Sequence, residues 1–254
     1  MKPVFYCLPY SPWSLKATFA LRHHAVDVER KVYTPLLDAP ELRLRLRKLG
    51  GKVTVPVLFA DEGAITDSFE IALYADRVGR GAPLLLAERR ESIAEWNACS
   101  ERLLAAGRGR AMVRAARSLD AAYETLPKAV SKLPLLGPAI ARGGLVWFNR
   151  KYAILERDQE QNESVIRSEL ERLRAALAGG REHLLDAFSY ADVTMAMALQ
   201  LLEPLPETAM GPAMRVAATE TALCEQYADL LRWRDALHRE HTLIARHESA
   251  RAAA

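Results

Sequence analysis

Apolar and polar positions follow two different periods in the first part of the chain. The apolar run VFYCL at residues 4–8 predicts a buried strand, and residues 12–25 place apolar side chains at helical spacing. Residues 26–33, VDVERKVY, alternate between apolar and polar side chains, which is the pattern of a half-buried strand. The next segment predicts a helix that begins near Asp38 and ends at Gly50.

The same part of the chain closes with two short strands and a helix. Residues 54–66, TVPVLFADEGAIT, predict two strands joined by a turn, and the following segment predicts a helix that begins at Asp67 or Ser68. The complete order, β-α-β-α-β-β-α, predicts a small α/β domain over residues 1–80. Clustered glycine and proline then predict a linker over residues 81–88.

Helical period dominates the chain after residue 88, and no strand pattern appears there. We therefore predict an all-helical second domain over residues 89–254. Its first helix, 89–107, is expected to break at residues 107–109, where two glycines lie close together. Prolines and glycines within residues 132–144 predict a further interruption. The remaining helices are predicted over residues 145–159, 163–180, 189–203 and 222–239.

Composition and charge narrow the class of protein. Half of the 254 residues are hydrophobic and the formal net charge is only +3, so neither nucleic acid nor an anionic membrane is indicated as a partner. Cys7, Cys99 and Cys224 lie far apart, which argues against a disulfide framework and fits a reducing, cytoplasmic environment. We expect no signal peptide, because the apolar segment near the N-terminus is short and interrupted by prolines. We expect no membrane span, because no run of about 20 apolar residues is present.

The segment YSPWSLK, residues 10–16, lies where the first predicted strand meets the first predicted helix. A serine at this place most often caps the helix through its hydroxyl. Ser11 and Ser14 also stand where the frame C-P-aromatic-C-x-K of disulfide chemistry has its two cysteines. A helix N-terminus favours anions. Serine without an adjacent base is a poor nucleophile, and the sequence suggests no histidine as that base. We therefore expect Ser11 to stabilise the thiolate of a bound molecule.

Two further motifs lie at predicted strand ends. Pro56 removes a backbone donor from an internal strand, which is explained either by an edge strand or by a cis-proline turn that exposes the Val55 backbone to a ligand. Asp67 and Ser68 precede a predicted helix, where a simple cap is the first interpretation. The same pair offers a carboxylate to an ammonium group and a hydroxyl to a carboxylate, which fits one end of an amino acid.

Four motifs together resemble a known family. S-P-W-S-x-K at residues 11–16, V-P-V-L at 55–58 and T-D-S-F-E-I-A-L-Y at 66–74 resemble the thioredoxin-like domain of cytosolic glutathione S-transferases. The helical remainder resembles their C-terminal domain, including a capping box with the sequence FSYAD at residues 188–192. The resemblance spans most of the chain, although residues 107–160 are longer than is typical of the family.

The resemblance implies a fold, an activity and a set of site residues. The fold is an α/β thioredoxin-like domain followed by an all-α domain, and the activity is that of a serine-type glutathione transferase, a homodimer with a role in detoxification. Ser11 is implied to stabilise the glutathione thiolate, with Ser14, Tyr6 and Tyr10 as alternatives. The implied glutathione-binding residues are Lys52, Val55, Pro56, Asp67 and Ser68.

Each of these residues has an implied contact with glutathione. The Val55 backbone pairs with the cysteinyl part, and Asp67 and Ser68 hold the γ-glutamyl end, with aspartate in place of the commoner glutamate. Lys52 is a candidate for the glycine carboxylate. Glutathione is thus the expected co-substrate, and no metal is expected.

The electrophile is expected between the loop after the first strand and the first long helix of the second domain. The candidate contacts are Trp13, Trp96, Arg102, Arg110 and Arg114. Arg110, Arg114 and Arg117 share one helical face, which is more often a solvated face than a binding site. A binding role for them would indicate an anionic electrophile, whereas the general expectation is a small hydrophobic one.

Other functions are less favoured by the sequence. His238, His241 and His247 have partial metal-ligand spacing, but no cysteine or carboxylate completes the set. A non-catalytic binding or scaffold protein of the same fold is favoured by the long 107–160 segment and by aspartate at position 67. A glutaredoxin-like thiol oxidoreductase is disfavoured, since both cysteines of the frame are replaced.

Overall fold

A four-stranded mixed sheet organises the first part of the chain. The computed structural model describes residues 2–35, 37–48, 50–126 and 137–245. Its strands are β1 (Val4–Cys7), β2 (Glu29–Val32), β3 (Val57–Ala60) and β4 (Gly63–Ile65), in the order β2-β1-β3-β4. Strand β1 is parallel to β2 and antiparallel to β3, and β4 is antiparallel to β3.

Helices cover both faces of this sheet. Helices α1 (Pro12–His23) and α3 (Ser68–Val78) lie on one face, and α2 (Ala39–Arg45) lies on the other. Alternate residues of β1 face opposite sides, as the period of a strand requires. Phe5 therefore joins the core formed with α1 and α3, whereas Tyr6 packs with Leu42 of α2. The predicted α/β layer order is thereby confirmed.

The second predicted helix is shorter than expected. The prediction that it extends to Gly50 is wrong, because α2 ends at Arg45. Arg47 adopts a φ of 53°, a left-handed conformation that a right-handed helix does not continue.

In the second part of the chain, all regular secondary structure of the described residues is helical. A long helix, α4 (Arg90–Ala116), is followed by α5 (Leu119–Glu124), α6 (Gly137–Tyr152), α7 (Gln159–Ala176), α8 (Tyr190–Ala198), α9 (Pro212–Ala218), α10 (Thr221–Gln226) and α11 (Ala228–His241). Short 3₁₀ turns precede α4 and α7 and follow α8. The division into domains at residues 80 and 89 stays a prediction.

The predicted break at the glycines of α4 is wrong. The helix continues through Gly107 and Gly109, and these residues serve close packing instead. A Cβ atom on Gly107 would lie 2.8 Å from the Cβ of Leu201, and one on Gly109 would lie 2.7 Å from the side-chain nitrogen of Asn162. The glycines thus let α4 approach α7 and the turn after α8 more closely than any other residue would.

The predicted interruption at residues 132–144 is wrong for its second half. Residues 127–136 lie outside the described part of the chain, but α6 begins at Gly137 and includes the remaining glycines. Pro138 lies in the first turn of α6, where a missing backbone N–H costs nothing. The predicted helix over 145–159 ends earlier, at Tyr152, and Ala153 has a φ of 53°.

Two boundaries near the C-terminal end also differ from the sequence-based expectation. The helix predicted over residues 222–239 is divided at Tyr227 into α10 and α11, and the short helix α9 was not predicted. The latter starts at Pro212, a residue suited to a first helical turn.

The capping box at the start of α8 is confirmed. Ser189 accepts a hydrogen bond from the Ala191 N–H, and Asp192 accepts from the Ser189 N–H at 2.9 Å and from the Leu184 N–H at 2.8 Å. Because both capping side chains are buried, these bonds satisfy backbone donors that no water reaches. Among the described helices, none has the length and apolarity to cross a bilayer.

Replacement of the packed glycine should destabilise the protein more than replacement of an open one. Gly107→Ala forces a displacement at Leu201, so we expect it to lower the free energy of unfolding by about 1–3 kcal/mol. The matched control is Gly143→Ala in α6, where a Cβ would meet no atom within 4 Å. This variant should raise the free energy of unfolding by about 0.5–1 kcal/mol. Urea unfolding measures both variants, and equal effects would contradict the packing role of Gly107.

Candidate functional site

The register of the sheet brings the three sequence motifs to one edge. Tyr6 of β1 pairs with Val57 of β3, and Leu58 pairs with Ile65 of β4. The end of β1, the start of β3 and the end of β4 therefore lie side by side, with neighbouring strands about 4.8 Å apart. The loops at this edge carry Ser11, the Val55–Pro56 peptide and the Asp67–Ser68 pair. The three motifs therefore lie close enough together to contact one small ligand.

The two serines of the first motif differ in what their hydroxyls bind. Ser14 is buried, and its Oγ accepts a hydrogen bond from the Leu8 N–H at 3.0 Å. Ser11 is the N-cap residue of α1, yet its side chain makes no capping hydrogen bond. Ser14 therefore shapes the loop, and the half-buried Ser11 keeps a hydroxyl available at the helix N-terminus.

The alternative hydroxyls lie in other surroundings. The Tyr6 hydroxyl donates to Glu41 at 2.7 Å and accepts from Arg45 at 2.9 Å, so it faces α2 rather than α1. Tyr10 is 37% exposed as a whole residue. Removal of its phenol group from water, with a contribution from Tyr152, raises the pKa of Tyr10 to about 12. Tyr10 is therefore protonated at neutral pH.

The proline motif adopts one of the two conformations that the sequence left open. The Val55–Pro56 peptide bond is cis, and it immediately precedes β3. Pro56 is buried and Val55 is half-buried at the edge of the sheet. Lys52 is exposed, and its ammonium group lies 5.8 Å from the ring centre of Tyr152 in α6.

The acidic motif forms the helix cap that was its simplest interpretation. Asp67 is the N-cap of α3, and one of its carboxylate oxygens accepts from the N–H groups of Phe69 at 2.8 Å and Glu70 at 3.3 Å. The carboxylate is exposed, so capping leaves it open to a ligand as well. Ser68 is buried, and its hydroxyl has no partner among the described residues.

A buried lysine connects this edge of the sheet to helix α4. The Lys16 ammonium is fully buried and donates to Glu101 at 2.6 Å, Asn97 at 3.2 Å and Ser100 at 3.3 Å, all on α4. Glu101 also accepts from the Trp13 indole N–H at 2.6 Å. Burial lowers the pKa of Lys16, and the Glu101 carboxylate opposes this shift.

Lys16 belongs to a motif that the sequence analysis identified, but its contact with α4 was not predicted. Lys16 stands in the last position of the S-P-W-S-x-K motif, and α4 carries its three partners within one helical turn. Helical spacing groups Asn97, Ser100 and Glu101 on one face. It does not show which face meets α1, because that depends on how two distant segments pack.

The two tryptophans predicted to bind the electrophile lie in different places. Trp13 lies at the head of α1 beside α4, with the Arg108 guanidinium 4.8 Å from its ring centre. Trp96 is buried, and the Arg172 guanidinium of α7 lies 5.2 Å from its ring centre. Trp13 is thus placed near Ser11, whereas Trp96 packs between α4 and α7.

The predicted arginines are bound to carboxylates. Arg102 pairs with Glu169 of α7, and Arg110 pairs with Glu220 at 2.7 Å. Arg114 binds the Ala217 carbonyl at 2.7 Å and also pairs with Glu220. These guanidinium groups hold neighbouring helices to α4, and their contact with an electrophile stays a prediction. Arg117 forms an exposed pair with Glu156.

The remaining candidate groups are engaged elsewhere. His238 lies 3.3 Å from Glu207, and His241 stacks on Phe188 with ring centres 3.6 Å apart. His247 lies outside the described residues. Within the described ranges, no group of three or more histidine, cysteine, aspartate or glutamate side chains is arranged to hold a metal ion. Burial raises the pKa of the Cys99 thiol to about 12, and the hydrogen bond to the Glu169 carboxylate contributes to this rise.

Comparison with known proteins agrees with this geometry. Residues 10–78 match the family model for the glutathione S-transferase N-terminal domain, and this range contains all three edge motifs. The chain has the glutathione S-transferase fold. No curated protein sequence matches it.

Solved structures of glutathione transferases and of a beta-etherase share the fold across nearly the whole chain. A glutathione S-transferase from Methylobacillus flagellatus with glutathione bound has a TM-score of 0.60 at 18% identity, covering 93% of this chain and 95% of its own. The beta-etherase LigF from Sphingobium has a TM-score of 0.62 at 16% identity, with coverage of 100% and 99%. A transferase from Phanerochaete chrysosporium has a TM-score of 0.58 at 15% identity, with coverage of 96% and 97%.

The two partners of the buried ion pair should respond differently to neutralisation. Glu101→Gln leaves the Lys16 ammonium buried without a counter-charge, so we expect a loss of about 3–5 kcal/mol in the free energy of unfolding. Lys16→Met should cost clearly less, since 37% of the Glu101 side chain is exposed and its carboxylate reaches water. Chemical denaturation of both variants tests this order, and a larger loss for Lys16→Met would refute it.

Proposed function

We propose that the protein is a glutathione transferase whose glutathione site is the sheet edge formed by the ends of β1 and β4 and the start of β3. The single observation that carries this proposal is the uncommitted hydroxyl of Ser11 at the N-terminus of α1. The hydroxyl of Ser14, the other serine of the motif, already accepts a hydrogen bond from the Leu8 N–H. Ser11 is therefore the group that best serves a ligand sulfur.

The chemistry follows from the position of Ser11. The sulfur of glutathione loses its proton to solvent water, and the resulting thiolate accepts a hydrogen bond from the Ser11 hydroxyl. The N-terminus of α1 adds a positive dipole end beside the same sulfur. A free thiol has a pKa of about 8.5, so modest stabilisation of the anion populates the thiolate at neutral pH. The thiolate then attacks an electrophilic carbon. As the carbon–sulfur bond forms, either a leaving group departs with its bonding electron pair, or a carbon–carbon double bond opens and the carbanion takes a proton from water.

The rest of glutathione extends along the same edge. The Val55 backbone binds the cysteinyl part, and the Lys52 ammonium, which is exposed, binds the glycine carboxylate. Asp67 binds the γ-glutamyl ammonium, and the orphaned Ser68 hydroxyl together with the N-terminus of α3 binds the γ-glutamyl carboxylate. This assignment supplies a partner for a buried hydroxyl that none of the described residues satisfies.

The electrophile site lies on the α4 side of Ser11. Trp13 is fixed there by its hydrogen bond to Glu101, so an aromatic wall stands next to the proposed position of the sulfur. A thiolate and an electrophile held together at this place gain from proximity as well as activation. We extend the proposal to a homodimer that acts in the cytoplasm and in detoxification, as the family resemblance implies.

Loss of the Ser11 hydroxyl should raise the pKa of bound glutathione. A charge-assisted hydrogen bond contributes about 1.5–3 kcal/mol, so Ser11→Ala should raise the thiol pKa by about 1–2 units and reduce turnover at neutral pH. The measurement is the pH dependence of thiolate absorbance in the bound complex, together with conjugation of a generic aromatic halide. Glutathione affinity should remain within about two-fold, because the peptide contacts are retained.

Ser14→Ala is the matched control for this experiment. It removes the bond to the Leu8 N–H and should lower the free energy of unfolding by about 1 kcal/mol. The pKa of the bound thiol should change less than in Ser11→Ala. A larger pKa change in Ser14→Ala would transfer the activating role from Ser11 to Ser14.

The binding role of Asp67 is separable from its capping role. Asp67→Asn keeps a capping oxygen but removes the charge, so glutathione should bind about 10–100-fold more weakly while unfolding changes by less than about 0.5 kcal/mol. Asp67→Ala should weaken both properties. Calorimetric titration and urea unfolding distinguish them, and unchanged glutathione affinity in Asp67→Asn would show that the residue is only a cap.

A non-catalytic binding protein of the same fold is the second candidate. One observation favours it: Lys151 at the end of α6 donates to the Val53 carbonyl at 2.6 Å, so a helix of the long segment lies against the loop that precedes Val55. Such a helix restricts access to the proposed site. Heat from glutathione binding without conjugation of any of a panel of electrophiles would favour this candidate over the transferase.

A further inference from the structure

A cluster of positive charge surrounds the ring of Tyr152, at the end of α6. The Arg108 guanidinium lies 4.1 Å from the ring centre, the Lys151 ammonium 5.4 Å and the Lys52 ammonium 5.8 Å. These residues come from α4, from α6 and from the loop before β3. Three distant segments thus converge to place cations beside the proposed glutathione site.

Arg108 is the cation of this cluster that also contacts Trp13, the aromatic residue proposed beside the electrophile. Its guanidinium contacts two aromatic rings, 4.8 Å from the centre of Trp13 and 4.1 Å from the centre of Tyr152. Its Nε atom is buried and has no hydrogen-bond partner among the described residues. Burial lowers the pKa of Arg108, although the group remains charged at neutral pH.

Carboxylates do not compensate this cluster within the described part of the chain. Arg102, Arg110 and Arg114, on other faces of the same helix, each pair with a glutamate. No described carboxylate lies within ion-pair distance of Arg108. The carboxylate that influences its pKa, that of Glu101, is already engaged by Lys16 and Trp13.

The electrostatics of Lys151 agree with this arrangement. Burial lowers the pKa of Lys151, and Arg43, Lys52 and Arg108 lower it further, because all three carry the same charge. Several like charges held together in a partly desolvated place are unfavourable unless an anion binds among them. The cluster therefore has the character of an anion site.

We propose that the electrophile carries a carboxylate, which Arg108 binds between Trp13 and Tyr152. This inference rests on the proposed function and adds the chemical class of the second substrate. A guanidinium presents a planar set of N–H donors that matches a carboxylate, and the buried Nε–H gains a partner on binding. Arg108 is thus a specificity-determining residue. It lies on another face of α4 than Arg110 and Arg114, the arginines that the helical spacing suggested.

Glutathione itself does not account for Arg108. In the proposed pose its glycine carboxylate lies at Lys52 and its γ-glutamyl carboxylate lies at Asp67 and Ser68. Trp13 follows Ser11 by two residues, so Arg108, which lies over the Trp13 ring, stands on the side of the sulfur. The carboxylate that it binds therefore belongs to the group that becomes attached to sulfur.

The test compares S-benzylglutathione with its ortho-, meta- and para-carboxy derivatives, which mimic conjugates with and without the anion. Calorimetric titration of the wild-type protein should show at least one carboxy isomer binding about 10-fold or more tightly than S-benzylglutathione. Arg108→Gln should abolish this preference and leave the affinity for S-benzylglutathione within about two-fold. Arg108→Lys should retain part of the preference, because it keeps a charge without the planar donors.

Arg90→Gln is the matched control, since it removes an exposed cation from the first position of the same helix. This variant should keep the full preference for the carboxy isomer. The inference is overturned if no isomer binds more tightly than S-benzylglutathione, or if the preference persists in Arg108→Gln. Binding of glutathione without a carboxylate preference overturns only this inference, whereas failure of glutathione to bind overturns the proposed function.

Discussion

The arrangement of the site depends on one buried charge, the ammonium of Lys16. An unpaired ammonium in a protein interior is very unfavourable, so α1 has to meet α4 where Glu101 supplies a carboxylate. The same carboxylate receives the indole N–H of Trp13, which fixes the aromatic side chain beside Ser11. A single acidic side chain thereby holds the head of α1 against α4.

Helix α4 carries residues with three different tasks. Gly107 and Gly109 lie on nearly opposite sides of the helix and permit close contact with the turn after α8 and with α7, and other positions carry arginines neutralised by glutamates of α7 and of the segment before α10. Arg108 of the same helix has no such counterpart among the described residues. The contrast between neutralised and unneutralised arginines on one helix separates groups that hold the fold from a group suited to a ligand.

Local patterns predicted the elements well and their contacts poorly. The strands, the first helices and the capping box at Ser189 follow from periodicity and capping chemistry, which depend on neighbouring residues. The continuity of α4 through Gly107 was missed, because a glycine that breaks a helix and one that packs it look the same in sequence. Arg108 and Tyr152 escaped notice for a related reason: their significance arises only when α4, α6 and the loop before β3 meet.

The arginine–glutamate pairs along α4 give the helical half a dependence on acidity. Burial favours the protonated form of Glu169 and Glu220, but hydrogen bonds from Arg102, and from Arg110 and Arg114, outweigh it and lower the pKa of both carboxyls. Their stabilisation is complete above about pH 4.3, where glutamates of an unfolded chain titrate, and is lost as pH falls through the lowered values. Acidification therefore releases α7 and the segment before α10 from the arginines of α4, and leaves those cations without counter-ions.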